Sequence, residues 1–291
     1  MLLSLTHSPR VASLVAWFFF ALAAGTAPAE AGRSAWVETP GGQIRLVTAS
    51  LGADGSLPAI LEIRLEPGWR TYWTDPGASG IPPEVTVRGK GPGADGIRFS
   101  GMRLPVPKRF AEGDLTYTGY DRPVAFPLMI KADPRIAPGT SLEASVFLGI
   151  CKSICIPVQA TIDLALSDPP DDTPLDETRI RTAFAALPQA PTADFTLTQA
   201  RFDAVAHQIV LTLRLPNGAE TPEIFLAAPS GYAFKEPEIT AQEDGLTQVR
   251  IGTKLPPKLS ALAAARPADG SIRATVRAGD RTMETPLVFG P

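Results

Sequence analysis

From Trp36 onward, apolar and polar residues alternate in short runs separated by turn residues, the period of half-buried strands. Residues 43–51 and 57–65 alternate on either side of Gly52-Ala53-Asp54-Gly55-Ser56, which predicts a hairpin. Further strands are expected at 85–87, 97–99, 115–120, 124–130, 142–150 and 156–166, with long irregular stretches at 74–84 and 100–114. About eight short strands without intervening helices predict a two-sheet sandwich, because each sheet has one apolar face to bury against another. The pattern then breaks at Asp168-Pro169-Pro170-Asp171-Asp172. A helix is expected next, with Thr173 as N-cap, Pro174 at its first position, Ile180, Phe184 and Leu187 at helical spacing, and Pro188 at its end. Alternation resumes at 195–202, 209–215, 223–226, 247–251, 271–277 and 283–289, which predicts a second, smaller β domain. The expected organisation is a leader at 1–31, a first sandwich at 32–168, a linker with a short helix at 169–193 and a second β domain at 194–291.

Composition sharpens this picture. The 25 glycines and 30 prolines among 291 residues suit turn-rich β structure. The 27 basic and 30 acidic residues are dispersed, so no basic stripe favours a nucleic-acid partner. At the N-terminus, His7 and Arg10 precede an apolar stretch at 11–24 and the small residues Ala27-Pro28-Ala29. That is the layout of a cleaved secretory signal, with cleavage expected near Ala29 or Ala31. As a membrane anchor the stretch would span only about 21 Å of a hydrocarbon core ~30 Å thick.

Several motifs carry less than they suggest. Gly91-Pro92-Gly93-Ala94-Asp95-Gly96 has the letters of a dinucleotide fingerprint, but no helix is expected behind it to receive a phosphate. Trp69, Tyr72 and Trp73 could stack on a sugar, although aromatics in a sandwich more often pack its core. Ser79 has no histidine in the same domain, and His207 reads as a turn or surface residue. Neither a small-molecule substrate nor a cofactor is indicated.

The two cysteines, Cys151 and Cys155, hold the chemistry. On a straight strand their Cα atoms would be about 13 Å apart, and a disulfide needs less than ~7 Å. A three-residue reversal at Lys152-Ser153-Ile154 would set them opposite one another. As a staple such a bond constrains little, about 2 kcal/mol for so short a loop. As a redox dithiol it is of the labile kind, and Lys152 could favour the attacking thiolate. Two thiolates are too few for a closed metal site. The spacing alone leaves a redox dithiol, a structural staple and a metal site open.

The segments Pro67-Gly68-Trp69-Arg70-Thr71-Tyr72-Trp73-Thr74-Asp75-Pro76-Gly77, Ser79-Gly80-Ile81-Pro82-Pro83, Gly119-Tyr120 and Cys151-Lys152-Ser153-Ile154-Cys155-Ile156-Pro157 occur in this order. Together they resemble the periplasmic N-terminal domain of the thiol:disulfide interchange protein DsbD and its ScsB-type relatives, over about residues 34–166. The resemblance implies an immunoglobulin-like sandwich in the periplasm and protein-disulfide reductase chemistry. Electrons would come from a separate membrane donor and pass to disulfide isomerases, thioredoxin-like proteins or cytochrome c maturation factors. It further implies that Cys155 forms the mixed disulfide and Cys151 resolves it. Trp69 and Tyr72 would line the pair, and Phe110, in Arg109-Phe110-Ala111-Glu112-Gly113-Asp114, would shield it. DsbD itself has a longer spacer between its cysteines; the three-residue spacer here is that of the ScsB-like branch. The rival expectation is a non-catalytic periplasmic binding or assembly module with a structural hairpin disulfide.

Overall fold

The computed structural model describes residues 32–77, 80–112, 115–133, 137–166, 174–217, 221–243, 245–256 and 267–290. The expected signal at 1–31 and the N-cap Thr173 lie outside the described residues. In the first half the alternating segments become β1 (Val37–Thr39), β2 (Gly42–Thr48), β3 (Ser56–Leu65), β4 (Arg70–Gly77), β5 (Glu84–Lys90), β6 (Arg98–Met102), β7 (Lys108–Glu112), β8 (Leu115–Tyr120), β9 (Val124–Lys131), β10 (Ser141–Cys151) and β11 (Cys155–Ala165). One sheet runs β1-β2-β3-β9-β6 and the other β11-β10-β4-β8-β7, with β5 beside the first part of β10. Their inner faces meet in a core that includes Leu61, Ile63, Phe126, Leu128, Leu148 and Ile150, all fully buried. The fold is all-β and immunoglobulin-like, two antiparallel sheets face to face.

The expected irregular stretches at 74–84 and 100–114 are corrected in part. β4 continues to Gly77, and β7 is a five-residue strand inside the second stretch. β7 is an edge strand that pairs with β8 alone among the described residues, so charged Lys108, Arg109 and Glu112 interrupt the apolar pattern that marks interior strands. The glycine-rich segment at 91–96 closes on a single 3-10 turn, Ala94–Gly96, and leads into β6.

The expected helix is α1 (Pro174–Ala185). It lies against the outer face of the β2-β3-β9 sheet, where Ile180 and Ala183 meet Val47 and Ile60. Asp176, in its first turn and 1% exposed, accepts from Arg179 at 2.8 Å and from Arg33 at 3.4 Å. An acidic group suits a helix N-terminus, where the backbone N–H groups carry positive partial charge. Arg179 also faces Glu62, itself paired with Arg45 at 2.7 Å, so ionic contacts continue from helix to sheet.

The second half forms β12 (Thr196–Asp203), β13 (Gln208–Arg214), β14 (Glu223–Ala227), β15 (Ala233–Phe234), β16 (Glu238–Glu243), β17 (Leu246–Lys254), β18 (Arg273–Ala278) and β19 (Arg281–Pro286). One sheet is β12-β13-β17-β15 with β16 also on β17, and the other is β14-β18-β19. Ile209, Leu211, Val249, Ile251, Val276 and Met283 fill a second core. His207 sits exposed in the β12–β13 turn with φ 50°, and its carbonyl accepts from the Thr253 N–H. Among the described residues no helix is long and apolar enough to cross a membrane.

The ionic seat of α1 is testable. Asp176→Ala removes charge-assisted hydrogen bonds and is expected to lower stability in urea unfolding by about 2 kcal/mol. A loss under ~0.5 kcal/mol would mean that apolar contact alone seats the helix.

Candidate functional site

β10 and β11 pair without a break from Ser141↔Ala165 to Cys151↔Cys155. The last pair brings the two Cα atoms to 4.2 Å, and the sulfurs are joined as a disulfide. Lys152, Ser153 and Ile154 form the reversal, closed by the Lys152 N–H donating to the Ile154 carbonyl at 3.3 Å. The two sulfur-bearing residues differ in access. Cys151 is 3% exposed, whereas Cys155 is exposed, beside an Ile154 that is 71% exposed.

The buried side of the pair is aromatic. Cys151 packs in a small cluster with Tyr72 and Tyr117, and Phe110 covers its edge. Tyr72 comes from β4, which pairs with the end of β10 at Ile150↔Thr71 and Cys151↔Arg70. Its hydroxyl lies 2.8 Å from the Cys155 sulfur. Tyr117 stands edge-on to Tyr72 at 6.2 Å and stacks on Phe110 at 6.0 Å. Phe110 and Tyr117 are direct cross-strand partners in the β7–β8 hairpin, so the shield is built into strand register.

Close backbone packing fixes Tyr72. A Cβ on Gly149 would lie 3.1 Å from the Tyr72 ring, and one on Gly80 would lie 2.7 Å from it. Thr71 donates from its hydroxyl to the Gly149 carbonyl at 2.9 Å, tying β4 to β10 beneath the ring.

Two cations lie at the rim. Arg70 donates to the Tyr117 hydroxyl, holds its guanidinium 4.8 Å above that ring, and reaches the Lys152 carbonyl at 3.4 Å. Lys152 itself is exposed, and its side chain runs along Gly68. Further along β4, burial pushes the Asp75 carboxyl above the usual carboxylate range, opposed by the hydrogen bond it accepts from the Gly77 N–H. Among the described residues no group of three or more His, Cys, Asp or Glu side chains converges as a metal site would.

The structure thus gathers Cys151, Cys155, Tyr72 and Phe110, with Lys152 in the reversal. The Trp69 ring covers Gly41 and packs on the sandwich core, while Tyr72, Tyr117 and Phe110 are the rings that pack with Cys151. Trp69 lies just before β4, and Gly41, with φ 74°, leaves the space that the indole fills. Tyr117 and Arg70 were not singled out from sequence. Tyr117 could have been found by pairing the β7 and β8 segments, and Arg70 by pairing Trp69-Arg70-Thr71-Tyr72 with the cysteine strand.

Residues 42–167 match the family model "Thiol:disulfide interchange protein DsbD, N-terminal", and residues 186–291 match a domain of unknown function. The N-terminal periplasmic domain of ScsB from Proteus mirabilis superposes with a TM-score of 0.68 at 22% identity, covering 89% of this chain and 100% of that one. A marsupial T cell receptor is matched at 9% identity with a TM-score of 0.19, too low to carry an argument. No curated protein matches the chain.

Gly119 tests the support beneath Tyr72. A Cβ there would lie 2.1 Å from the Thr71 carbonyl oxygen and 2.9 Å from the Tyr72 Cα. Gly119→Ala must therefore part β8 from β4, and a loss of about 1–3 kcal/mol is expected in thermal or urea unfolding. An unchanged transition would contradict this packing. Residues 42–167 thus match the DsbD N-terminal family model, and the chain shares the fold of the ScsB N-terminal periplasmic domain.

Proposed function

We propose that this chain exchanges its Cys151–Cys155 disulfide with thiols of other proteins in the periplasm, relaying electron pairs from a membrane reductase to disulfide-bonded or thioredoxin-like acceptors. The observation that carries the reading is the unequal exposure of the two cysteines: one sulfur-bearing residue faces solvent and its partner is sealed under aromatic rings. A disulfide that served only as a staple would gain nothing from that asymmetry, and its short loop constrains the unfolded chain little. The family match of residues 42–167 and the periplasmic setting of the ScsB domain support the same reading.

In the reducing direction the Cys155 thiolate attacks one sulfur of an acceptor disulfide. A mixed disulfide forms and the acceptor's other sulfur leaves as thiolate. Cys151 then attacks the Cys155 sulfur, which releases the acceptor's second thiolate. Two electrons have passed, the acceptor is a dithiol, and Cys151–Cys155 is again a disulfide. The thiolate is the competent nucleophile in each step. Tyr72 is placed to donate its hydroxyl proton in a hydrogen bond to the Cys155 thiolate, and a hydrogen bond to the charged form favours it. Arg70 adds positive charge at the same rim, with Lys152 beside it in the reversal. Phe110 and Tyr117 keep stray thiols from the buried sulfur, and Ile154 offers a docking partner an apolar contact.

Trapping tests the assignment. Cys151→Ala removes the resolving thiol, so Cys155 is expected to accumulate stable mixed disulfides that vanish on dithiothreitol treatment and run as higher bands on non-reducing gels. Cys155→Ala is expected to give none. Equal trapping by both variants would overturn the division of labour, and absence of trapping by Cys151→Ala in a periplasmic extract would overturn the relay.

A further inference from the structure

The shield over the disulfide is rooted in the second sandwich. Successive strand residues point to opposite faces, and two neighbouring pairs in the first sandwich divide their contacts accordingly. On β4, Tyr72 touches the Cys155 sulfur while Trp73 meets Phe225 of β14 edge-on at 6.0 Å. On β7, Phe110 stacks on Tyr117 while Arg109 lays its guanidinium 5.0 Å over the same Phe225 ring and donates to the Ile224 carbonyl at 3.0 Å. Phe225 is 2% exposed and belongs to the core of the first sandwich although it comes from the second. Arg277 of β18, paired with Glu223, donates to the carbonyls of Val106 and Pro107 at 3.2 and 2.9 Å, just ahead of β7.

These contacts are local. Beside them a cleft of about 560 Å³ separates the two halves, lined by Asp75 and Tyr117 on one side and Tyr232 and Phe234 on the other. β7 is an edge strand held laterally by β8 alone among the described residues, so its root needs a further anchor to stay seated.

We propose that the second sandwich is a clamp on the redox shield: Phe225, with Arg109 and Arg277, sets how often Phe110 and Tyr117 lift from Cys151–Cys155. Phe225, Arg109 and Arg277 are positioning residues, since none touches a sulfur. The inference rests on the exchange reading above and assigns a task to the half of the chain whose family model is a domain of unknown function. A population shift is its mechanism: Cys155 is exposed in either state, whereas the Cys151 sulfur can leave or be attacked only once the shield lifts, so the exchange rate follows the lifted fraction.

The test is the rate at which dithiothreitol reduces the disulfide in the full chain. The reagent's two thiols become a cyclic disulfide while Cys151 and Cys155 become thiols. Arg109→Ala and Phe225→Leu, the second keeping apolar volume but losing the ring face, are each expected to raise this rate about tenfold. The double variant is expected to exceed the faster single one by less than the product of the two effects, because the Arg109–Phe225 contact is lost in both. Arg109→Lys keeps a cation and a donor and is expected to return the rate to within about twofold of the original. An unchanged rate in the folded variants, or a rise that merely tracks lost stability in urea, overturns the clamp. If Phe225→Leu does not fold, the Arg109→Ala and Arg109→Lys pair decides alone. Dithiothreitol needs no docking surface, so failed trapping of a partner leaves this test standing, and an unchanged rate beside successful trapping removes the clamp only.

Discussion

The whole site depends on the register of one hairpin. β10 and β11 are each 11 residues long and stay paired without a bulge, so the position of Cys151 opposite Cys155 is fixed by every pair behind it. A slip of one residue would turn each side chain to the other face and part the sulfurs. That register is held because Leu142, Leu148 and Ile150 of β10, together with Ile162 and Leu164 of β11, are buried in the sandwich core. The cysteine pair ends a core-anchored hairpin, with Cys151 buried and Cys155 exposed.

From that end the chemistry follows by access and charge. β4 pairs with the tip of β10 on the side away from β11, which brings Tyr72 to Cys155 and Arg70 beside the reversal. The β7–β8 hairpin then supplies Phe110 and Tyr117. One cysteine is left open and one closed, an arrangement suited to a first attack at a defined sulfur. The second sandwich reaches the same strands through Phe225, which meets Trp73 of β4 and Arg109 of β7.

Much of this was legible in the sequence because binary alternation and turn residues set where strands begin and end. The hairpin of β2 and β3 is one case: Gly55 needs φ 75° and sits where a Cβ would strike the Ala132 carbonyl, so the turn residue marks the reversal directly. Pro174 at the start of α1 is another. What stayed hidden depends on partners distant in sequence. β7 is charged because it is an edge, β15 has two residues, and Trp69 turns toward Gly41 for reasons of space that no local pattern encodes. Tyr117 and Arg70 join the site through strand pairing, and Phe225 crosses from another domain. In each case the missing information was tertiary.

A disulfide built for exchange has an intermediate reduction potential. Equilibrating the chain in glutathione and dithiothreitol buffers of graded poise, with the thiol state read after acid quenching, measures it most directly. The account predicts a midpoint within the range of thiol-exchange proteins, between about −120 and −270 mV. A midpoint below roughly −300 mV, where structural disulfides resist reduction, would contradict it.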